Sequence, residues 1–565
     1  MAPPPSLLDF VASALEASVP GSHRYSLNVV RSEPQRSHAL FPHASNAKTA
    51  KVYHEETLVV LSEKRTVAST PTVPRPPAEG AALALPAADR DTEEHLVPVA
   101  ALEAALYFVP SSSCALLYIS KVDTTGLSSS PVSPTRTLVS AFVAYHLLHA
   151  PHHAQRLRVH VFARAQAQYL FPGSADNAPA KRVLDDNALI RWWKGTLERA
   201  SAQRALPDGA VQRFYLVPGL SLAESLPYVP ALPGTAPWVY GHANSTLSSP
   251  LHAPASPAAH PLTDHVPAFP DDPKARFLHS LASSPVEPSG APGDYDDAYR
   301  ALSSATFSAG TTPAQKAAEL DRQVDRERRR LVEGVPGGVD EWWERMAFRQ
   351  ECCAGALVAF FVLAIGEPAD LVAAASASAL VPSDPPAASP SSTVAAPPSS
   401  PSKKPGAPAA AAPPRRSVAA LRPAQYTKLW STLHNFDYTR DPATASAAAG
   451  AGADAPARLG TAVARWAEGV ERAARGTWDE ERRHHDRTAG ADNVDADAEW
   501  AAVWAREGAR DVRVENPLPP PLLRGEGQDV RAGGEKRAAV DEDAPKKVNV
   551  LAPRKKKKVA PAPPL

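Results

Sequence analysis

The chain has 565 residues, 60 of them Pro, with 60 Lys and Arg balanced by 60 Asp and Glu, and 44% of its residues apolar. Pro at about twice ordinary usage cannot sit inside helices or central strands, so much of the chain must be loop, linker or tail around a core drawn from 10 Trp, 13 Tyr and 14 Phe. The charge balance excludes a uniformly basic nucleic-acid coat and an acidic solvating chain, and Cys114, Cys352 and Cys353 make neither a disulfide framework nor a Cys-rich zinc site, which suits a reducing compartment.

The first ten residues, MAPPPSLLDF, lack the basic segment and long apolar stretch of a secretory leader. Short apolar runs at 58–61 and 115–119 read as buried strands of an α/β unit, with 66–97 between them as a surface insertion. SKVDTTG (120–126) reads as a loop after the second strand, and a helix opens near Thr135 with Leu138, Phe142, Tyr145 and Leu148 at helical spacing. Residues 159–162 make a third strand candidate. The stretch 183–200 is an amphipathic helix that Asp185 or Asp186 can cap, with Leu189, Trp192, Trp193 and Leu197 on one face.

Residues 218–294 read as mostly Pro-rich coil, interrupted by FPDDPKARFLHSL (269–281). Helices are expected at 313–333 and 340–366, and the longest apolar run, 352–365, reads as a core helix too short for the ~20 residues of a membrane span. Residues 381–416 hold eleven prolines in 36 positions and cannot bury a core. The expected division is a domain over 1–366 with insertions near 66–97 and 225–265, a disordered 367–420, C-terminal helices over 421–475, and a disordered tail over 476–565. That tail ends in PRKKKKV (553–559), which reads as a nuclear-import signal rather than a DNA-binding arm.

There is no P-loop, dinucleotide fingerprint, HExxH, GxSxG or paired CxxC, and the histidines at 149, 152, 153, 484 and 485 lack ligand-like spacing, so no metal site is expected. In FPDDPKARF, Asp272 is either the N-cap of a helix begun by Pro273, or one of two carboxylates (with Asp271) lining a groove beside Lys274 and Arg276. As a base towards a lysine, an Asp must be desolvated or work through water. The helix start at Thr135, with Arg136, suits a pyrophosphate. Adjacent residues on a helix diverge by about 100°, so Trp192 and Trp193 cannot fill the same pocket: one faces the core, the other a tunnel.

SKVDTTG, QYLFPGS (168–174), RWWKGTLER (191–199), FPDDPKARFLHSL and FRQE (348–351), in that order, resemble the fungal histone H3 lysine acetyltransferases of the Rtt109 type. The resemblance covers about 1–366 and short C-terminal pieces. It implies a central mixed sheet surrounded by helices, similar to the CREB-binding-protein acetyltransferases, with acetyl-CoA as co-substrate and no metal. It implies cofactor contacts from Val122, Asp123 and Thr124, from Ser133, Pro134, Thr135, Arg136 and Thr137, and from Phe162, Gln166, Arg182, Val183, Leu184 and Trp192. It further implies Asp272 as catalytic carboxylate beside Asp271, Tyr169 and Trp193 along the lysine channel, and Lys274 as a self-acetylated lysine. The implied partners are the histone H3–H4 dimer and histone chaperones of the nucleosome-assembly and anti-silencing types, in the nucleus, with neither membrane nor direct DNA binding. Two other readings compete: a non-catalytic histone-chaperone adaptor, supported by the unusual Gln166 and Arg182, and a DNA-binding protein using the basic tail.

Overall fold

Leu27, Val29, Val59 and Leu61 face one side of a twisted sheet, while Val30, Leu58 and Val60 face the other, as the two-residue period of strands dictates. The computed structural model describes residues 5–46, 50–68, 92–177, 179–203, 205–207, 209–230, 236–283, 322, 327, 328, 331–349, 352, 357–367, 417–436, 438, 454–489 and 496–518. The strands are β1 (Gly21–Arg31), β2 (Gln35–Ser37), β3 (Val52–Ala68), β4 (Thr92–Val109), β5 (Cys114–Thr124), β6 (Arg156–Arg164), β7 (Val211–Leu216), β8 (Val239–Tyr240), β9 (Val358–Ile365) and β10 (Ala509–Asn516). They form one ten-stranded sheet in the order β10-β1-β3-β4-β5-β6-β9-β7-β8, with β2 on β3. The β5–β6 and β7–β8 pairs are parallel and the others antiparallel, so the expected mixed sheet is present.

Helices cover both faces. On one side α1 (Leu7–Ser18), α2 (Thr135–Leu148) and α3 (Asp186–Ser201) bury Leu8, Val11, Phe142, Val143, Ile190 and Leu197 against the strands. Asp185 caps α3 by accepting the Ala188 N–H at 2.7 Å. Two single turns, α4 (Leu222–Ser225) and α5 (Ala243–Thr246), precede α6 (Pro273–Ser283) and α7 (Gly338–Met346). The last two bury Phe277, Leu278, Trp342, Trp343 and Met346 against Val358 and Phe360. On the other face lie α8 (Pro423–His434), α9 (Asp454–Ala489) and α10 (Ala496–Glu507), whose Tyr426, Leu433, Trp466, Val470, Trp478 and Trp500 pack on Leu58, Val60 and Ala101.

Several expectations are corrected. The run 352–365 is not a helix: Val358–Ile365 is strand β9, with Ala359, Phe361 and Leu363 on one face and Phe360 and Val362 on the other. A strand buried on both faces reads as an unbroken apolar run. The helix expected over 340–366 accordingly stops at Met346. SKVDTTG is mostly strand, since β5 continues through Thr124. Of the insertion read at 66–97, both flanks belong to β3 and β4, which pair from Ala68–Thr92 inward; residues 69–91 lie outside the described residues. Much of the coil read at 225–265 is packed, with Ser248, Ser249, Leu251, Asp264 and His265 buried.

Residues 476–518 are not tail: α9 runs to Ala489, and β10 pairs with β1 over Gly21–Asn28, burying Val512 and Val514 in alternation. The insertion at 381–416, the basic segment 553–559, and most of the helix expected at 313–333 lie outside the described residues. Among the described residues no helix is long and apolar enough to cross a membrane.

Candidate active site

The end of β5 is bent where it meets β4. Glu103 pairs with Lys121 but Ala104 with Ile119, so Ser120 is an extra residue, and its hydroxyl donates to the Glu103 carbonyl at 3.1 Å. Such a bulge re-aims the side chains beyond it. It turns Asp123 into the protein, where one carboxylate oxygen accepts the N–H groups of Tyr169, Leu170 and Phe171 at 2.7, 2.9 and 3.1 Å. The other oxygen accepts the Thr124 N–H and the Lys181 ammonium, both at 2.8 Å. Asp123 is therefore fully engaged inside the protein, fastening the 169–171 turn and Lys181 to the end of β5.

That fastening shapes a cavity of about 290 Å³. Its walls are the end of β5, the start of α2, the 164–169 segment after β6, residues 181–184 and the tandem tryptophans of α3. Of the residues singled out from sequence, Val122, Asp123, Thr124, Ser133, Thr135, Phe162, Gln166, Tyr169, Arg182, Val183, Leu184, Trp192 and Trp193 all line it. Both tryptophans do so, edge to face at 5.0 Å, which corrects the expectation that only one could. Pro134, Arg136, Thr137, Asp271, Asp272 and Lys274 are not among the lining residues. Arg136 nonetheless stands 5.8 Å above the Trp192 ring. Pro134 is the N-cap of α2 and offers no side-chain acceptor to its first turn. The Tyr169 hydroxyl donates to the Arg164 carbonyl, and burial, reinforced by the Asp123 charge, pushes its pKa up to about 12. At neutral pH it is a donor and not a base.

Neither member of the aspartate doublet lines the cavity, and the two differ. Asp271 adopts φ +57°, is largely exposed, and lies 3.6 Å from the Lys121 ammonium. Lys121, a lining residue, is also held by Glu103 at 3.1 Å and stands 5.3 Å over the Trp430 ring of α8. The Trp430 indole N–H donates to Glu103 at 2.7 Å.

Asp272 is completely buried, accepts the Lys274 N–H at 2.9 Å as the cap of α6, and is ion-paired with the Lys274 ammonium. Lys274 lies 4.7 Å from the Phe360 ring, which stacks on the lining residue Phe162 at 4.8 Å. One aromatic layer thus separates the pair from the cavity. Burial pushes the Lys274 ammonium below its usual pKa, against the opposing pull of Asp272. His160 and His242 are held neutral far below their usual range by burial and then by the Lys274 charge.

Sequence reasoning missed Glu103, Lys121, Lys181 and Trp430. The signal for Lys181 was electrostatic, since a buried Asp123 requires a cation. Trp430 had no local signal, because tertiary packing alone brings α8 to the end of β5.

A cavity with a largely apolar wall and a helix N-terminus on one side defines the class of an α/β protein built to hold a small-molecule ligand. The fold is that of a solved fungal protein: the chain aligns over 90% of its length with all of the crystal structure of Rtt109 from Aspergillus fumigatus, at a TM-score of 0.50 and 22% identity. The histone acetyltransferase KAT11-type domain matches residues 132–451, and the chain belongs to that family. It is 33% identical over 276 residues to the histone acetyltransferase rtt109 of Aspergillus flavus, covering 45% of this chain and 42% of that protein. It is 27% identical over 260 residues to the protein of that name from Schizosaccharomyces pombe, covering 44% and 52%. The chain thus spans about half the length of the curated relatives it matches.

Proposed function

We propose that the protein transfers the acetyl group of acetyl-CoA to lysine side chains of histone H3, acting on H3–H4 delivered by histone chaperones in the nucleus. One observation carries this reading: residues from five separate stretches of chain (120–124, 133–135, 162–169, 181–184 and 189–193) converge on one cavity. The residues present fit the co-substrate. Val122, Phe162, Val183, Leu184, Leu189 and the two tryptophans offer an apolar sleeve for a pantetheine arm. The start of α2, with Ser133, Thr135 and Arg136, and the lining residue Arg182 offer donors for phosphates. When bound, acetyl-CoA supplies an activated acyl group as a thioester.

Tyr169 and Trp193 flank the aliphatic stem of the incoming lysine, and Asp123 acts as a positioning residue that holds Tyr169 in place. The acceptor amine must be deprotonated before it can attack. Both Asp272 oxygens are occupied by Lys274, so in this reading Asp272 organises the turn, while Asp271, 3.6 Å from the lining residue Lys121, takes the proton through water. Lys274 remains the candidate for self-modification.

The test is mass spectrometry of H3–H4 incubated with acetyl-CoA and the protein, with and without a chaperone. Acetylated H3 lysines, increased by chaperone, are expected. No acetylated lysine, together with no affinity for acetyl-CoA in a titration, would leave the adaptor reading instead.

A further inference from the structure

We infer that Lys121 is a positioning residue, fixed by Glu103 and Trp430, that aims the Asp271 carboxylate at the incoming lysine; the inference rests on the acetyl-transfer reading above. Asp271 has nothing else to aim it. It adopts φ +57°, its side chain is 75% exposed, and its one ion-pair partner among the described residues is the Lys121 ammonium at 3.6 Å. Lys121 belongs to the cavity wall, so the pair ties the Asp271 turn to that wall. An exposed ion pair contributes little to stability, and what this one supplies is direction.

A loose lysine could not give direction, because its four-carbon stem swings the charge into water. This one is held. Both Glu103 oxygens accept from its ammonium, at 3.1 and 3.4 Å, and the Trp430 ring centre lies 5.3 Å from it. Glu103 is fixed in turn, accepting the Ser120 hydroxyl at 2.8 Å on one oxygen and the Trp430 indole N–H at 2.7 Å on the other. Trp430 stacks on His434, one turn further along α8, at 3.8 Å with 21° between the rings. A relay thus runs from α8 through Trp430, Glu103 and Lys121 to Asp271, and its first step joins residues 327 positions apart. Its charges do not cancel. Two carboxylates around one ammonium leave a net negative corner, which suits an approaching lysine ammonium.

The experiment measures H3 acetylation by the full chain, with acetyl-CoA affinity by calorimetry beside it. Lys121→Met should lower kcat roughly 10- to 100-fold, and Lys121→Arg should recover most of the loss, since a guanidinium can bridge the same two carboxylates. Trp430 is not a lining residue, and Trp430→Phe keeps a ring while losing the N–H to Glu103. Its kcat should fall about 3- to 10-fold, with acetyl-CoA affinity within about twofold of wild type. In an Asp271→Asn background Lys121→Met should cost nothing further, because residues that act as a unit are not additive. A second readout needs no turnover. Brief labelling with acetic anhydride, mapped by mass spectrometry, should modify Lys121 roughly threefold faster in Trp430→Phe and in Asp271→Asn than in wild type, since an amine released from its partners is freer to react. Equal labelling in all three chains, an unchanged kcat in Lys121→Met, or a full further loss in the Asp271→Asn background would overturn the relay. A wild-type chain that transfers no acetyl group, or an Asp271→Asn variant as fast as wild type, would instead overturn the reading beneath it, and the labelling would still decide the relay.

Discussion

Two buried aspartate–lysine pairs flank the candidate site, and they do different work. Asp123 and Lys181 lie 58 residues apart, and the aspartate also gathers three consecutive N–H groups of the 169–171 turn, so the pair ties distant stretches of chain into a cavity wall. Asp272 and Lys274 are two residues apart and close a local turn, with aromatic rings and neutral histidines around them. A buried charge pair is weak evidence of stability by itself, but removing one partner is costly. The contrast therefore teaches where the cost falls: on global stability for the first pair, on the presentation of Asp271 for the second.

The largest effect should come from Asp123→Ala, which strands the Lys181 ammonium and three N–H groups. A loss of about 3–5 kcal/mol is expected in urea unfolding, partly recovered by adding Lys181→Met. A loss below 1 kcal/mol would mean that the wall is held otherwise. Asp272→Asn keeps the cap acceptor for the Lys274 N–H, and Lys274, already pushed down by burial, can shed its proton. Its cost should be smaller, about 1–3 kcal/mol, with the larger consequence in kcat/KM for histone acetylation.

Acid sensitivity separates the pairs further. His160 and His242 near Lys274 have folded pKa values far below 6.5, so as pH falls below 6.5 the unfolded chain takes up protons that the folded one refuses. Stability is therefore full above pH 6.5 and declines as pH drops. His160→Gln should reduce that slope by about 1 kcal/mol per pH unit in denaturation curves measured between pH 6.5 and 5. An unchanged slope would show that His160 takes up its proton as readily in the folded chain as in the unfolded one. The smallest effect belongs to Tyr169→Phe, which removes one hydroxyl donated to the Arg164 carbonyl. It should cost roughly 0.5–1.5 kcal/mol while lowering acetylation, since the ring stays and the donor does not.

What could be read from the sequence was local. The apolar runs inside β3, β5 and β6, the start of α2, and the Asp185 cap of α3 all announced themselves through period and capping chemistry. Strand β9 did not, because a strand buried on both faces and a core helix give the same unbroken run. Strand β10, with only Val512 and Val514 buried among charged neighbours, looked like tail because an edge strand carries little apolar signal. The cavity-lining residues were named through a family resemblance. The different surroundings of Asp271 and Asp272 required coordinates, since only the fold shows that Lys274 occupies the Asp272 carboxylate and that Lys121 stands beside Asp271.

The central claim is that the cleft between the bulged end of β5 and the paired indoles of α3 is where the acetyl donor binds. Calorimetric titration of the full chain with acetyl-CoA, beside the Trp192→Ala variant, tests it most directly. The account predicts one equivalent bound by the wild-type chain and at least tenfold weaker binding by the variant. No heat with the wild-type chain, or the same affinity in both, would contradict it.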